Sequence, residues 1–176
     1  MPNDITGAYN WAITECNKPN VGYSMTYREQ QTVGGITYYD CSSFIWYALK
    51  QGGDFSLNPP AFTTVTMYSI LSSLGFNIIV PDATTQTQEG DILWYDYGGG
   101  VNGHTEMVYT GGIGQAITMG AHGSSLPLPD QVSIHTYYTP NSNWQFLARW
   151  GGGIAHRQWI YLKKGILLSR KRRVGY

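Results

Sequence analysis

The stretch that most constrains the fold is residues 39–49, which read Tyr-Asp-Cys-Ser-Ser-Phe-Ile-Trp-Tyr-Ala-Leu and are soon followed by a Gly-Gly pair. Asp40 is a favourable N-cap, apolar side chains recur at helical spacing, and a glycine pair is a usual helix stop. The pattern therefore predicts a helix that begins at Cys41. A thiol in the first turn lies near unbonded backbone N–H groups and the positive end of the helix dipole. Cys41 is thus a candidate nucleophile, although a cysteine there can equally be a small packing residue.

A histidine in the second half of the chain is the natural partner of this thiol. His104 lies in the run Gly-His-Thr-Glu-Met-Val-Tyr at residues 103–109, which has the composition of a β-strand. A strand would hold the imidazole rigidly, as a general base for a thiol requires. A cysteine with a distant histidine is a usual pattern of thiol hydrolases, because nucleophile and base need to be adjacent only in the fold.

The sequence offers no metal-binding pattern. None of the four histidines forms His-Glu-x-x-His, and the two cysteines, Cys16 and Cys41, are 25 positions apart. We therefore expect no metal and no cofactor. Both cysteines are expected to be free, because a disulfide would block the nucleophile, and Cys16 is expected to be plain helix packing.

The order of the expected elements indicates an α+β fold. Helices are expected from Asn3 or Asp4 to Cys16, from Cys41 onwards, and over residues 63–74, with a polar connection at residues 17–35. Short runs rich in β-branched and aromatic residues then predict strands at residues 76–80, 91–95, 105–109, 115–119, 132–138 and 144–150. Helices followed by strands predict one domain in which N-terminal helices pack on a central antiparallel sheet.

The charge distribution divides the chain into two segments. Residues 1–150 hold all 11 acidic residues and four basic ones, a net charge of −7, whereas residues 151–176 hold seven basic residues and no acidic one. We therefore expect a domain at 1–150 and a basic tail or linker at 151–176. The tail would dock on the domain as an extra hairpin or helix, or bind an anionic surface or a neighbouring subunit. No nucleic acid partner, signal peptide or transmembrane segment is indicated.

Three runs resemble the motifs of NlpC-type, papain-like (NlpC/CHAP) cell-wall hydrolases: Tyr-Asp-Cys-Ser-Ser-Phe at 39–44, Gly-Asp-Ile at 90–92 and Gly-His-Thr at 103–105. With Tyr-Ser-Met at 23–25, the closer resemblance is to bacteriophage peptidoglycan hydrolases of the Pal amidase type, and it covers about residues 5–150. It implies attack on an amide of bacterial peptidoglycan by the Cys41 thiolate, with His104 as base and then acid. It favours an N-acetylmuramoyl-L-alanine amidase, with a D,L- or cross-bridge endopeptidase as the alternative.

The resemblance also implies a polar third catalytic residue, contributed after the histidine strand. His122 is the first choice, with a shifted register. Glu106 is the alternative, because it lies two residues along from His104 and hence on the same strand face. His122 can equally be a structural histidine in a turn.

Further residues are expected around the reacting amide. Backbone N–H groups of Cys41 or Ser42 would stabilise the oxyanion, and the resemblance adds a hydroxyl from Tyr27 or Tyr23, although these tyrosines can equally only line the groove. Asp40 is interpreted as a cap. Aromatic candidates for packing against sugar faces are Trp46, Trp94, Tyr95 and Tyr97.

Two other functions fit the same pattern. The chain could be a structural phage tail component with a hydrolase-like fold, anchored through its basic end, or a papain-like enzyme acting on another amide. If it is a phage hydrolase, it would be made in the host cytoplasm and reach the wall after holin release or as part of the virion. Other phage tail proteins or a C-terminal wall-binding module are then expected partners.

Overall fold

The computed structural model describes residues 3–98 and 102–151, and in these residues it contains three α-helices. The helices are α1 (Ile5–Cys16), α2 (Cys41–Tyr47) and α3 (Thr64–Leu74), and a π-helical turn (Ala48–Gly52) continues directly from α2. In α1 the buried residues Ile5, Ala8, Ala12 and Cys16 recur at helical spacing. Gly75 ends α3 in the left-handed conformation, with φ 98°.

The strands form two sheets. The larger sheet is antiparallel throughout, in the order β4 (Phe76–Ile79), β10 (Phe146–Trp150), β5 (Ile92–Asp96), β6 (Gly103–Gly111), β7 (Gln115–Ala121) and β8 (Val132–Ile134), and β9 (Thr139–Pro140) also pairs with β7. The smaller sheet has the order β1 (Val21–Tyr23), β3 (Ile36–Tyr39) and β2 (Thr32–Val33). Strand β6, which carries His104, therefore lies in the interior of the larger sheet.

The helices pack on this sheet and bury its core. Helix α2 contacts β6 and β7, α1 contacts β7 and β8, and α3 contacts β4, β5 and β6. Phe44 and Ile45 of α2 and Met107 and Met119 of the sheet are completely buried. The apolar face of the cysteine helix thus anchors it against the strand that carries the histidine.

The expected α+β arrangement is confirmed in this coarse form. Helices α1 and α3 begin and end within a residue of the expected positions, and all six expected strands are present. The polar connection expected at residues 17–35 also contains two short strands, β1 and β2, which the sequence did not predict. These strands are too short to carry a sequence pattern, and β1 pairs with the distant β3.

The strand expected over 132–138 is shorter than predicted. It ends at Ile134, the chain leaves the sheet, and it returns to pair with β7 at β9. The excursion carries His135 and Tyr137 towards the site described below. The expected basic tail falls, except for Gly151, outside the described residues, and its role stays a prediction. No helix among the described residues is long and apolar enough to cross a membrane.

Candidate active site

Cys41 is the first residue of α2, directly after the N-cap Asp40. Asp40 Oδ1 accepts the backbone N–H of Ser43 at 2.7 Å, and the Asp40 N–H donates to Ser43 Oγ at 2.9 Å. This reciprocal capping box fixes the turn that presents the thiol. Cys41 is 6% exposed, and both it and Cys16 are free.

A largely buried arginine holds the N-terminus of the cysteine helix. Arg28 Nε lies 2.5 Å from Asp40 Oδ2, and Arg28 Nη2 donates to Ser42 Oγ at 3.0 Å and to the Phe62 carbonyl oxygen at 2.6 Å. Because Asp40 is buried, its charge needs this partner. Asp40 therefore caps and anchors the helix, in agreement with its interpretation as a cap.

His104 is the second residue of β6, and its ring interacts with the Cys41 side chain. Burial lowers the pKa of His104, but the interactions with Cys41 and Glu106 raise it by more, and the net result is a pKa of about 10. An imidazole beside a cysteine at the start of a helix is an arrangement typical of reactive cysteines. The structure thus brings together two side chains that are 63 positions apart in the chain.

Glu106 is the residue that bonds directly to the far side of the His104 ring. It is 2% exposed, and its Oε1 lies 2.8 Å from His104 Nε2, while the Thr118 hydroxyl donates to its Oε2. Burial raises the pKa of Glu106, but the hydrogen bonds from His104 and His122 lower it well below the usual range. An ionised carboxylate at Nε2 keeps a proton there, which leaves Nδ1 to face the thiol.

His122, the first choice for the third residue, reaches Glu106 instead of His104. Its Nδ1 lies 2.9 Å from Glu106 Oε1 and its Nε2 lies 3.0 Å from the Ser133 carbonyl oxygen. The ring centroids of His122 and His104 are 6.5 Å apart. The geometry therefore favours the alternative, Glu106, as the residue that orients His104, with His122 bonded behind it.

A further histidine, His135, completes the cluster. Its ring stacks on His122 at a centroid distance of 4.2 Å, and its Nδ1 lies 3.2 Å from Thr118 Oγ and 3.6 Å from Glu106 Oε2. Burial lowers the pKa of His135; the charge of Glu106 opposes this shift, and those of His122 and His104 add to it. No motif identified His135, because it reaches the site only where the chain leaves the sheet after β8.

A cavity of about 950 Å³ opens over this cluster. His104, Glu106, His122 and His135 line it, together with five tyrosines: Tyr23, Tyr95, Tyr97, Tyr137 and Tyr138. Tyr97 and Tyr137 are more than half exposed. The catalytic candidates on the sheet are therefore open to a ligand that is large enough to contact aromatic side chains.

The structure separates the two tyrosines that were candidates for the oxyanion. Tyr23 lines the cavity, and burial, with smaller contributions from Cys41 and Asp40, raises its pKa to about 12, so that its hydroxyl stays protonated. Tyr27 packs against Tyr38 and is not among the residues that line the cavity. Tyr23 is the better placed of the two.

The four aromatic residues expected to pack against sugars lie in two different environments. Tyr95 and Tyr97 stack on each other at 5.0 Å and line the cavity. Trp46 and Trp94 are 2% and 1% exposed, and the prediction that they could pack on a sugar is wrong because both lie in the core. Both tryptophans lie within the apolar patterns of a helix and a strand, and this indicated burial more strongly than their aromatic character indicated sugar binding.

Trp144 was not identified as a site residue from the sequence. Its ring stacks beside His104, with centroids 6.1 Å apart and planes inclined by 22°, and it is 6% exposed. The tryptophan comes from the segment just before β10, so its contact with β6 depends on strand order. It limits the space in which the imidazole can rotate.

Three side chains in the site could also hold a cation. His104, Glu106 and His122 each offer a ligand atom, and these atoms all lie within 4.8 Å of one another. They come from β6 and from the residue after β7. No local spacing in the sequence could have revealed this group.

Comparison with known proteins gives two findings. A family model described as bacteriophage peptidoglycan hydrolase matches residues 6–142, a range that contains Cys41, His104 and Glu106. A curated lysin of Pneumococcus phage Dp-1 is 34% identical over 110 residues, which cover 61% of this chain and 34% of the lysin. The matched segment thus spans about a third of that lysin's length.

Proposed function

The chain belongs to the bacteriophage peptidoglycan hydrolase family, and from this premise we propose that it hydrolyses an amide bond of bacterial peptidoglycan with Cys41 as the nucleophile. The observation that carries the proposal is the interaction of the Cys41 side chain with His104, whose ring is bonded on its other side to the buried carboxylate of Glu106. Covalent catalysis requires a nucleophile next to a base, and a third group that orients the base. A cysteine helix packed on the histidine strand also supports a papain-like, NlpC/CHAP-type architecture.

The proposed reaction has two halves. The Cys41 sulfur attacks the amide carbon while His104 holds the thiol proton, and His104 then gives this proton to the leaving amine as the carbon–nitrogen bond breaks. This leaves a thioester between Cys41 and the acyl part of the substrate. Water, activated by His104, then attacks the thioester and releases the carboxylic acid and the free thiol.

The surrounding residues would stabilise these steps without reacting. Glu106 keeps the His104 ring in the tautomer whose Nδ1 faces sulfur, and its charge favours the imidazolium. Backbone N–H groups at the start of α2 and the protonated hydroxyl of Tyr23 are the donors proposed for the oxyanion. His122 is proposed to hold Glu106 in place, as a positioning residue.

The chemistry of the cavity favours an amidase over an endopeptidase. Apart from Glu106 and the histidines, the described residues that line it are uncharged. The sugar beside the N-acetylmuramoyl-L-alanine bond carries hydroxyl and N-acetyl groups, which tyrosine faces and hydroxyls can bind. We therefore propose the lactyl–alanine amide as the scissile bond.

The test is to digest purified cell walls with the full chain and analyse the products by mass spectrometry. An amidase releases stem peptides with a new N-terminal alanine and leaves the glycan intact. New amino groups within the stem or cross-bridge would instead assign an endopeptidase. Intact walls after prolonged incubation would overturn the proposed hydrolase activity.

A further inference from the structure

The charge balance around Glu106 is the starting observation. This carboxylate is 2% exposed, and among the described residues its hydrogen bonds come from His104, His122 and the Thr118 hydroxyl, with no lysine or arginine. A buried carboxylate needs a positive partner. Here the available partners are imidazoles, which are the commonest ligands of transition metals in proteins.

The contacts of His122 also fit those of a metal ligand. Its two ring nitrogens lie 2.9 Å and 3.0 Å from Glu106 Oε1 and from the Ser133 carbonyl oxygen, and both oxygens can only accept. A metal ion between Nδ1 and Glu106 would leave Nε2 to donate to the Ser133 carbonyl oxygen.

Each of the three donors already has the outer partner that metal ligands usually have. His122 Nε2 faces the Ser133 carbonyl oxygen, the second carboxylate oxygen of Glu106 accepts the Thr118 hydroxyl, and the other face of His104 contacts Cys41. Such partners fix the orientation and protonation of the ligands. The cavity of about 950 Å³, lined by all three residues, provides an entry path.

The geometry needs only a small adjustment. Glu106 Oε1 lies 2.8 Å from His104 Nε2 and 2.9 Å from His122 Nδ1. Tetrahedral zinc with bonds of about 2.0–2.1 Å holds its ligands about 3.3 Å apart, so each of the two Glu106 pairs would separate by about 0.5 Å. His104 Nε2 and His122 Nδ1, which lie within 4.8 Å of each other, would have to approach. Rotation of side chains supplies a movement of this size.

We propose that His104 Nε2, Glu106 Oε1 and His122 Nδ1 bind one zinc-like divalent transition-metal ion, and that this ion inhibits the enzyme. When a metal ion occupies Nε2, the His104 ring carries a single proton, on Nδ1. Loss of that proton would turn the ring into an imidazolate anion. His104 then cannot pass a proton from the thiol to the leaving amine. The binding site stands on geometry alone, whereas the inhibition rests on the proposed function.

The binding test uses the full chain after treatment with a chelator. Titration with Co²⁺ alone, followed by visible absorption, and with Zn²⁺ alone, followed by calorimetry, should show one ion per chain. His122→Gln should weaken binding by on the order of tenfold or more. His135→Gln is the matched control, since it removes a neighbouring imidazole but none of the three ligand atoms, and it should retain the affinity of the wild type. Absence of binding, or equal affinity of His122→Gln and wild type, would overturn the site.

The inhibition test compares each protein with its own metal-free rate on purified walls. One equivalent of Zn²⁺ should suppress wild-type digestion and a chelator should restore it, while His122→Gln should require on the order of tenfold more Zn²⁺. Undiminished digestion by the zinc-loaded protein, or digestion that depends on zinc, would overturn the inhibition. Cys41→Ala should still bind one Zn²⁺ per chain, because it keeps all three ligand atoms, although it loses an outer partner of His104. If it does so while the metal-free wild type never digests walls, the proposed function fails and the binding site is supported.

Discussion

Glu106→Gln separates the charge of the carboxylate from its hydrogen bonds. Glutamine has the same shape, its amide oxygen can accept from the His104 and His122 imidazoles, and its NH₂ group can donate to Thr118 Oγ. The substitution therefore preserves the contacts around Oε1 and Oε2 and removes only the negative charge.

The expected magnitude follows from the His104 contact. A hydrogen bond to a charged group contributes about 1.5–3 kcal/mol and a neutral one about 0.5–1.5, so that neutralising the acceptor removes about 1–2 kcal/mol. The carboxylate lies next to Nε2, away from the sulfur, and so stabilises the imidazolium more than it opposes the thiolate. The rate at which Cys41 is alkylated should therefore fall on the order of 5- to 30-fold.

Alkylation of Cys41 by iodoacetamide measures the reactivity of the thiol without a substrate. The reaction should be followed at neutral pH in a Cys16→Ala background, so that a single thiol reacts. Glu15→Gln is the matched control, because Glu15 is an equally buried carboxylate whose partners are Lys18 and Tyr39. Alkylation of Glu106→Gln at the wild-type rate would refute the role of this carboxylate in activating the thiol.

Three further changes test the support of the site. Gly103→Ala should destabilise the protein by about 1–3 kcal/mol in urea unfolding, since the new Cβ would lie 2.1 Å from Thr64 Oγ1. It should also slow alkylation, because His104 is the next residue. Arg28→Ala should lower the free energy of unfolding by about 3–5 kcal/mol, because the Asp40 carboxylate is left buried without a cation. The pKa of His104 is raised from 6.5 to about 10, so its contribution to stability is complete below pH 6.5 and is lost as the pH rises towards 10; the melting temperature should fall across this window.

Each of these has its own control or contrary outcome. Gly123→Ala introduces a Cβ that meets nothing within 4 Å and should leave stability unchanged. Arg28→Ala with an unchanged free energy of unfolding would show that the arginine does not stabilise the cap. In His104→Gln the fall in melting temperature between pH 6.5 and 10 should shrink; an undiminished fall would assign it to other groups.

Local signals in the sequence were sufficient for the cysteine helix. Its cap, its first residue and its buried face all follow from neighbours within a few positions of Cys41, and the structure places α2 accordingly. The contact between Cys41 and His104 needed a motif resemblance, because 63 positions separate them and only the packing of α2 on β6 joins them.

The choice between Glu106 and His122 depended on strand register. The register of β6 and β7 shifts between Val108 and Thr110, so that counting along the chain cannot place the residue after β7 opposite a given residue of β6. Glu106 could be placed beside His104 from the sequence alone, because residues two positions apart in one strand face the same side of the sheet. The sequence pattern assigned His135 and Trp144 to strands at 132–138 and 144–150, but in the structure they lie just outside β8 and β10, which the pattern could not show.

The most direct test of the central claim compares two cysteine substitutions on purified cell walls. Cys41→Ala should abolish the release of wall fragments, whereas Cys16→Ala, which alters a packed thiol whose burial raises its pKa, should retain nearly the full rate. Both variants should first be shown to be folded by circular dichroism. Continued wall digestion by folded Cys41→Ala, or equal loss in the two variants, would contradict the assignment of Cys41 as the nucleophile.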